Sequence, residues 1–216
     1  MLGALGIGST ALLAAAPSPA TSVSSANATE RLISGNARFV AGTLTHMSLL
    51  DERRAALTGG QAPFATILSC SDSRVPPEHV FDESLGDLFV VRNAGNFVTD
   101  AALGTIEYGY SVLGVKLVVV LGHDSCGAVL ATYDALAENK TLPPHLDVIQ
   151  HGIEDGIRSV VTAHGSKTDA SRANARAQAA RIIASGPVLA PAVASGDLQV
   201  ISAIYTLADG KVTILK

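Results

Sequence analysis

Three short runs of this chain, residues 64–69, 88–92 and 116–121, are almost continuously apolar and rich in valine, leucine and isoleucine. A strand with one wet face alternates apolar and polar side chains, whereas a strand covered on both faces does not. These runs therefore call for a sheet buried between layers of helix. Helical patterns fall where such layers need them. One covers 29–40, and a second covers 51–57 before the Gly59-Gly60 stop. Others cover 101–113 behind a capping Asp100 and 127–138, and after a break at 140–144 come 146–163 and 171–183. A fourth strand pattern at 198–206 is followed by Asp209-Gly210 and a short run to Leu215, a hairpin signal. The expected fold class is α/β: a mainly parallel β-sheet flanked by helices, with a C-terminal strand or hairpin and an N-terminal helical arm. A length of 216 residues suits one such domain, placed at 30–216.

Residues 1–29 carry no charge. An apolar stretch to Ala16 gives way to a Ser/Ala/Thr-rich one, with small-x-small sites ending at Ala20 and Ala28. That order reads as an export signal without its basic start, ahead of a loose cytoplasmic extension. It is too glycine-broken for a stable membrane span. Fifteen basic against nineteen acidic side chains leave a net charge of −4, which excludes the charge excess of a nucleic-acid binder. Charged residues are only 16%, against about 25% in an average soluble protein, so much surface is buried or shared with another subunit.

The chemistry concentrates at two strand ends. The first run leads into Cys70-Ser71-Asp72-Ser73-Arg74, where an extended chain would turn Cys70, Asp72 and Arg74 to one side. The third leads into Gly122-His123-Asp124-Ser125-Cys126-Gly127, where His123 and Cys126 stand one turn apart at a helix start. Open α/β sheets place their sites at such ends. Two thiolates, an imidazole and a carboxylate form a set that suits tetrahedral zinc and not the oxygen-loving magnesium or calcium. Two inert core thiols, or a Cys70–Cys126 disulfide in an exported protein, are the alternatives that spacing alone leaves open. The remaining histidines, His46, His79, His145, His151 and His164, have no cysteine nearby and read as surface or capping residues.

Those two clusters, together with Val90-Val91-Arg92-Asn93-Ala94-Gly95-Asn96 and Ile106-Glu107-Tyr108, resemble the β-class carbonic anhydrases from about Glu30 to the C-terminus. The resemblance implies one Zn2+ per chain, held by Cys70, His123 and Cys126. It implies that Asp72 either joins the metal in a closed state or pairs with Arg74 in an open one. It implies a carbon dioxide pocket lined by Gln61 from across a subunit boundary, Phe89, Ala94 and Tyr108, with the Gly127 N–H facing the bound anion. Ala94 stands where valine is usual, and Ala128 where a second glycine is common. Ile67 occupies the position of a tryptophan found in one branch, so the plant-like branch is the nearer one. The activity implied is reversible hydration of carbon dioxide, with hydrolysis of carbonyl sulfide or carbon disulfide, or an inactive zinc-stabilised subunit, as alternatives. The expected assembly is a homodimer or a dimer of dimers. Arg92 and Asn93 read as a buttress of the site or the interface.

Overall fold

The computed structural model of the protein describes residues 23–46 and 50–216. The charge-free segment read above as an export signal or extension lies, over residues 1–22, outside the described residues. Five strands, β1 (Ala65–Cys70), β2 (Leu88–Asn93), β3 (Leu117–His123), β4 (Gln199–Tyr205) and β5 (Val212–Leu215), form one sheet in the order β2-β1-β3-β4-β5. The first four are parallel, and β5 closes the edge antiparallel to β4. Every residue of β1 and β3 is buried, as their unbroken apolar runs require.

Alternate side chains of β3 serve two separate cores. Leu117, Val119 and Leu121 pack with Ala28 and Leu32 of helix α1 (Ser25–Ala41) and with Val80 of the short α3 (Pro77–Val80). Val118 and Val120 face the opposite layer. That layer contains Ile106 of α4 (Asp100–Ser111), Ala175, Ala179 and Ile182 of α7 (Lys167–Ile183) and Leu189 of α8 (Leu189–Ala194). A third cluster gathers beyond the C-terminal ends of the strands. There Cys70 and Cys126 pack with Phe97, with Val129 of α5 (Gly127–Ala137) and with Ile153 and Ile157 of α6 (Asp147–Thr162).

Element ends differ from expectation where side-chain caps decide them. Helix α1 begins at Ser25 and not at Thr29, because the Ser24 hydroxyl accepts the Asn27 N–H at 3.3 Å and Ala28 is needed in the core. Helix α7 begins at Lys167, four residues before the expected Ser171, because Ser166 and Asp169 form a reciprocal capping box. The short α2 (Leu50–Ala56) runs into a 3-10 turn at Leu57–Gly59. Helices α3 and α8, of four and six residues, carry too little periodicity to be read in advance. The terminal hairpin forms, with Asp209-Gly210 inside its connection and Gly210 at φ 73°.

Two residues of α1 fix its seat. A Cβ on Gly35 would lie 1.8 Å from the carbonyl oxygen of Phe81, so only glycine lets the helix approach that closely. Beside it, buried Asn36 donates to the carbonyls of Val80 and Gly210 and accepts the Val212 N–H. His46 corrects a sequence expectation. It is buried, and its Nδ1 lies 2.7 Å from Asp82, whose carboxylate also takes the guanidinium of Arg38 and the N–H of Thr45. The other four uncommitted histidines are exposed.

Candidate active site

The sheet order changes direction between β1 and β3, which opens a crevice beyond their C-terminal ends. Cys70 is the last residue of β1 and His123 the last of β3, so the two ligand candidates face that crevice from adjacent strands. Cys126 follows as the N-cap of α5, reached through Ser125 in the left-handed region at φ 51°. The ligand atoms of Cys70, His123 and Cys126 all lie within 4.8 Å of one another, and all three residues are buried. The sulfurs are 3.8 Å apart and both thiols are free, which removes the disulfide alternative.

The imidazole is oriented by its neighbour. Its Nδ1–H donates to the Asp124 carbonyl at 2.7 Å, which leaves the Nε2 lone pair directed away from that bond. Nε2 is buried and has no hydrogen-bond partner among the described residues. A buried nitrogen without a partner is costly unless something else uses its lone pair. Tetrahedral zinc, with Zn–S near 2.3 Å, spans two sulfurs about 3.8 Å apart. The spacing of the sulfurs, the tautomer and the Cys2His donor set therefore all fit zinc.

Asp72 and Arg74 converge by a different route from the one expected. The strand stops at Cys70, and the chain then turns, with the Val75 N–H bonding the Asp72 carbonyl at 3.1 Å. The turn brings Arg74 back onto Asp72. Backbone N and Nε of Arg74 both donate to Oδ1 at 2.9 Å, and Nη2 donates to Oδ2 at 2.7 Å. These bonds hold the Asp72 carboxyl far below the usual carboxylate range, against a smaller opposing effect of burial. Its Oδ2 stands 3.9 Å from His123 Nε2. Asp72 is thus beside the three-ligand cluster and held by Arg74.

The two thiols are driven apart electrostatically. Cys70 is pulled down to about 4 by the hydrogen bond from Cys126, and in the same direction by His123 and the N–H groups of Gly95 and Asp72, while burial opposes. Cys126 is pushed up, first by its bond to Cys70 and then by burial. For His123 burial favours the neutral ring, but the neighbouring Cys70 sulfur and its charge prevail and raise it. Both sulfurs must be thiolates to hold a metal ion, so its binding would displace the protons they carry.

Arg92 and Asn93, expected to buttress the site or the interface, support the site, and Asp124, which went unread, joins them. Arg92 donates from Nε to the Cys70 carbonyl at 2.9 Å and from Nη2 to the Asp72 carbonyl at 2.7 Å, clamping both ends of the reactive turn. Asp124 holds the ring through its carbonyl and accepts the Leu207 N–H through its carboxylate at 3.0 Å. Asn93 pins both backbone groups of Phe97, shaping the turn that aims the Gly95 N–H at Cys70 Sγ, 3.3 Å away. Gly95, at φ 88°, admits no side chain there, because a Cβ would meet Ile153 at 2.5 Å and Ala128 at 3.0 Å.

The expected pocket residues divide into two groups. Ala94 and Gly127 adjoin the cluster, and the space where a Cβ of Gly127 would stand is open. Phe89 is paired with Thr66 near the start of β1 and β2, about 13 Å along the strands from the Cys70 end. It stacks on Tyr108, with centroids 6.1 Å apart, and Gln61 lies exposed just before β1. These three residues belong to the opposite end of the sheet from the cluster of their own chain.

Residues 65–212 match the family model described as "Carbonic anhydrase". The fold also aligns with the β-carbonic anhydrase of Coccomyxa, solved in complex with acetazolamide, at a TM-score of 0.68 and 30% identity over 76% of this chain and 77% of that one. The chain belongs to the β-class carbonic anhydrases. A carbonic anhydrase of Mycolicibacterium smegmatis is 43% identical over 83% of this chain and 88% of its own length. A tetrameric β-carbonic anhydrase of Sordaria macrospora aligns at a TM-score of 0.67 and 25% identity, over 88% of this chain and 97% of that one. The β-class matches agree with the sheet and flanking helices described above, and this carbonic anhydrase places its three ligand candidates at the crevice of that fold.

Proposed function

We propose that this enzyme hydrates carbon dioxide reversibly at a single zinc ion held by Cys70, His123 and Cys126. The observation that carries the reading is the partnerless, buried Nε2 of His123 beside two free sulfurs spaced as tetrahedral zinc requires. Bound there, zinc supplies the Lewis acidity that makes water a nucleophile near neutral pH. Two thiolates offset much of that charge, so turnover should rise through mildly alkaline pH. The relatives named above are carbonic anhydrases, which favours carbon dioxide over carbonyl sulfide or carbon disulfide.

The protein's own groups do the positioning. Arg74 keeps Asp72 ionised and turned to its own guanidinium, leaving the fourth position beside the cluster open. The free lone pair of Oδ2 accepts a hydrogen bond from the attacking oxygen and orients its remaining lone pair toward carbon. The product is an anion, and the start of α5 favours it. Gly127 opens the space there, and the helix dipole adds its positive end.

Gln61, Phe89 and Tyr108 complete a site on a second copy of the chain in this reading, because they lie at the wrong end of β1 and β2 to serve their own. Tyr108 is 45% exposed in the isolated protomer, as a side chain awaiting a partner would be. A homodimer, or a dimer of dimers like the tetrameric Sordaria enzyme, follows. We further read the charge-free N-terminal segment as an export signal, cut after Ala20. That cut spares the Ser24 cap, whereas one after Ala28 removes it.

Metal analysis of protein purified under reducing conditions, with stopped-flow carbon dioxide hydration followed by a pH indicator, tests the central reading. One zinc per chain and rapid hydration are expected. Active protein without stoichiometric metal refutes it. N-terminal sequencing of the mature protein tests the cut.

A further inference from the structure

Helix α7 carries two buried amides to which the zinc site described above assigns no role. Asn174 and Gln178 are one turn apart, 0% and 3% exposed, and point into the ground between the sheet and α6. Their orientations are forced by backbone groups that have only one role each. The Val98 N–H can only donate, so the oxygen of the Gln178 amide must face it, at 2.9 Å. Its Nε2 then donates to the Gly152 carbonyl at 2.9 Å and to Asn174 Oδ1 at 3.0 Å. Asn174 is left with Nδ2 on the carbonyl of Gly95, at 2.9 Å. Gly95 in turn sends its own N–H to Cys70 Sγ.

We propose that Asn174 and Gln178 are positioning residues for the metal centre, holding the Gly95 turn so that its N–H stays on the Cys70 sulfur. The inference rests on the zinc reading above. An N–H bond to a coordinating sulfur withdraws electron density from it, and outer-sphere partners of this kind set both ligand geometry and metal character. Gly95 needs outside help. Its left-handed backbone is anchored by no side chain of its own, and its walls, Ile153 and Ala128, are apolar. Asn174 supplies the polar contact that fixes its carbonyl, and Gln178 removes the amide flip that would turn an oxygen toward that carbonyl.

The test uses the full-length enzyme loaded with zinc or, separately, with Co2+. Asn174→Ala and Gln178→Met are compared with Gln150→Met. Gln150 is another buried amide, on α6, but it bonds Lys140 and Leu142 and not the Gly95 turn. The readouts are the rate of zinc transfer to a chromophoric chelator, the sulfur-to-cobalt charge-transfer band and Tm. Expected are about tenfold faster zinc transfer, at the lower edge of outer-sphere effects, and a displaced band in both α7 variants. Gln150→Met should lose Tm while keeping the wild-type rate and band. If Asn174→Ala fails to fold, Gln178→Met and Asn174→Ser decide alone. Variants that lose only Tm, as the control does, overturn the positioning role. Wild-type protein that holds no stoichiometric metal overturns the zinc reading itself, a separate outcome.

Discussion

Replacing Gly35 with alanine sets two effects against each other. Alanine in a helix interior is favoured over glycine by about 1 kcal/mol. Against this, the new Cβ would lie 1.8 Å from the Phe81 carbonyl oxygen, a backbone atom that cannot rotate away. Ordinary contact needs about 3.3 Å, so α1 must withdraw by roughly 1.5 Å. That movement strains the packing of Ala28 and Leu32, both 2% exposed or less. Overpacking costs about 1–3 kcal/mol, and partial exposure of a leucine adds up to about 2 kcal/mol. At the middle of these ranges the clash wins by a net of about 2 kcal/mol, equivalent to a Tm roughly 4–8 °C lower for a domain of this size. Differential scanning calorimetry of Gly35→Ala beside Gly104→Ala provides the comparison. Gly104 is also helical, but nothing lies within 4 Å of where its Cβ would stand, so that variant should gain about 0.5–1 kcal/mol. If Gly35→Ala melts at or above the wild-type temperature, the close approach of α1 to Phe81 is not what the helix position depends on.

Arg74→Ala should retain one zinc per chain while turnover falls by at least tenfold, since Asp72 loses its holder; loss of zinc by metal analysis would make Arg74 structural instead. Cys126→Ser should release the metal and lower Tm, read by metal analysis and calorimetry. Asp82→Asn tests acid stability. Burial opposes the charge of Asp82, but Arg38, His46 and Thr45 outweigh it and hold the carboxyl far below its usual range. A depressed acid stabilises the fold above the unfolded-state value of about 4 and ceases to as pH falls through the lower folded value. The asparagine variant, which tolerates the φ of 48° at this position, should be less stable at pH 7 by denaturant midpoint. The gap to wild type should shrink below about pH 4; a constant gap contradicts the assignment.

The strands and the ligand cluster were legible because their signals are local. Continuous apolar runs mark the buried β1 and β3, whose ends, Cys70 and His123, mark the crevice, whereas the equally apolar run of β2 is an edge strand and only half-buried in the protomer. What stayed hidden depends on distant partners. His46 reads as a surface residue until Asp82 and Arg38, brought in from other segments, give its ring a buried acceptor. Asn174 and Gln178 act through backbone carbonyls whose positions exist only in the fold, and so do the two carbonyls that the buttressing Arg92 holds. Asp72 and Arg74 were paired correctly on the wrong geometry, since alternation along a strand says nothing of the turn that follows it. Phe89 and Tyr108 were assigned to a pocket by resemblance, and only the register of β1 with β2 puts them at the far end of the sheet.

The Asn36 amide joins residues 174 and 176 positions away in sequence, clasping the first helix to the final hairpin. During synthesis Asn36 precedes the groups that complete it by 174 and 176 residues. The amide of Asn36 therefore stays incompletely satisfied until the hairpin has been made and has folded back onto α1. Trimming the hairpin should accordingly loosen the opposite terminus, and protease sensitivity near α1 should track the integrity of β5.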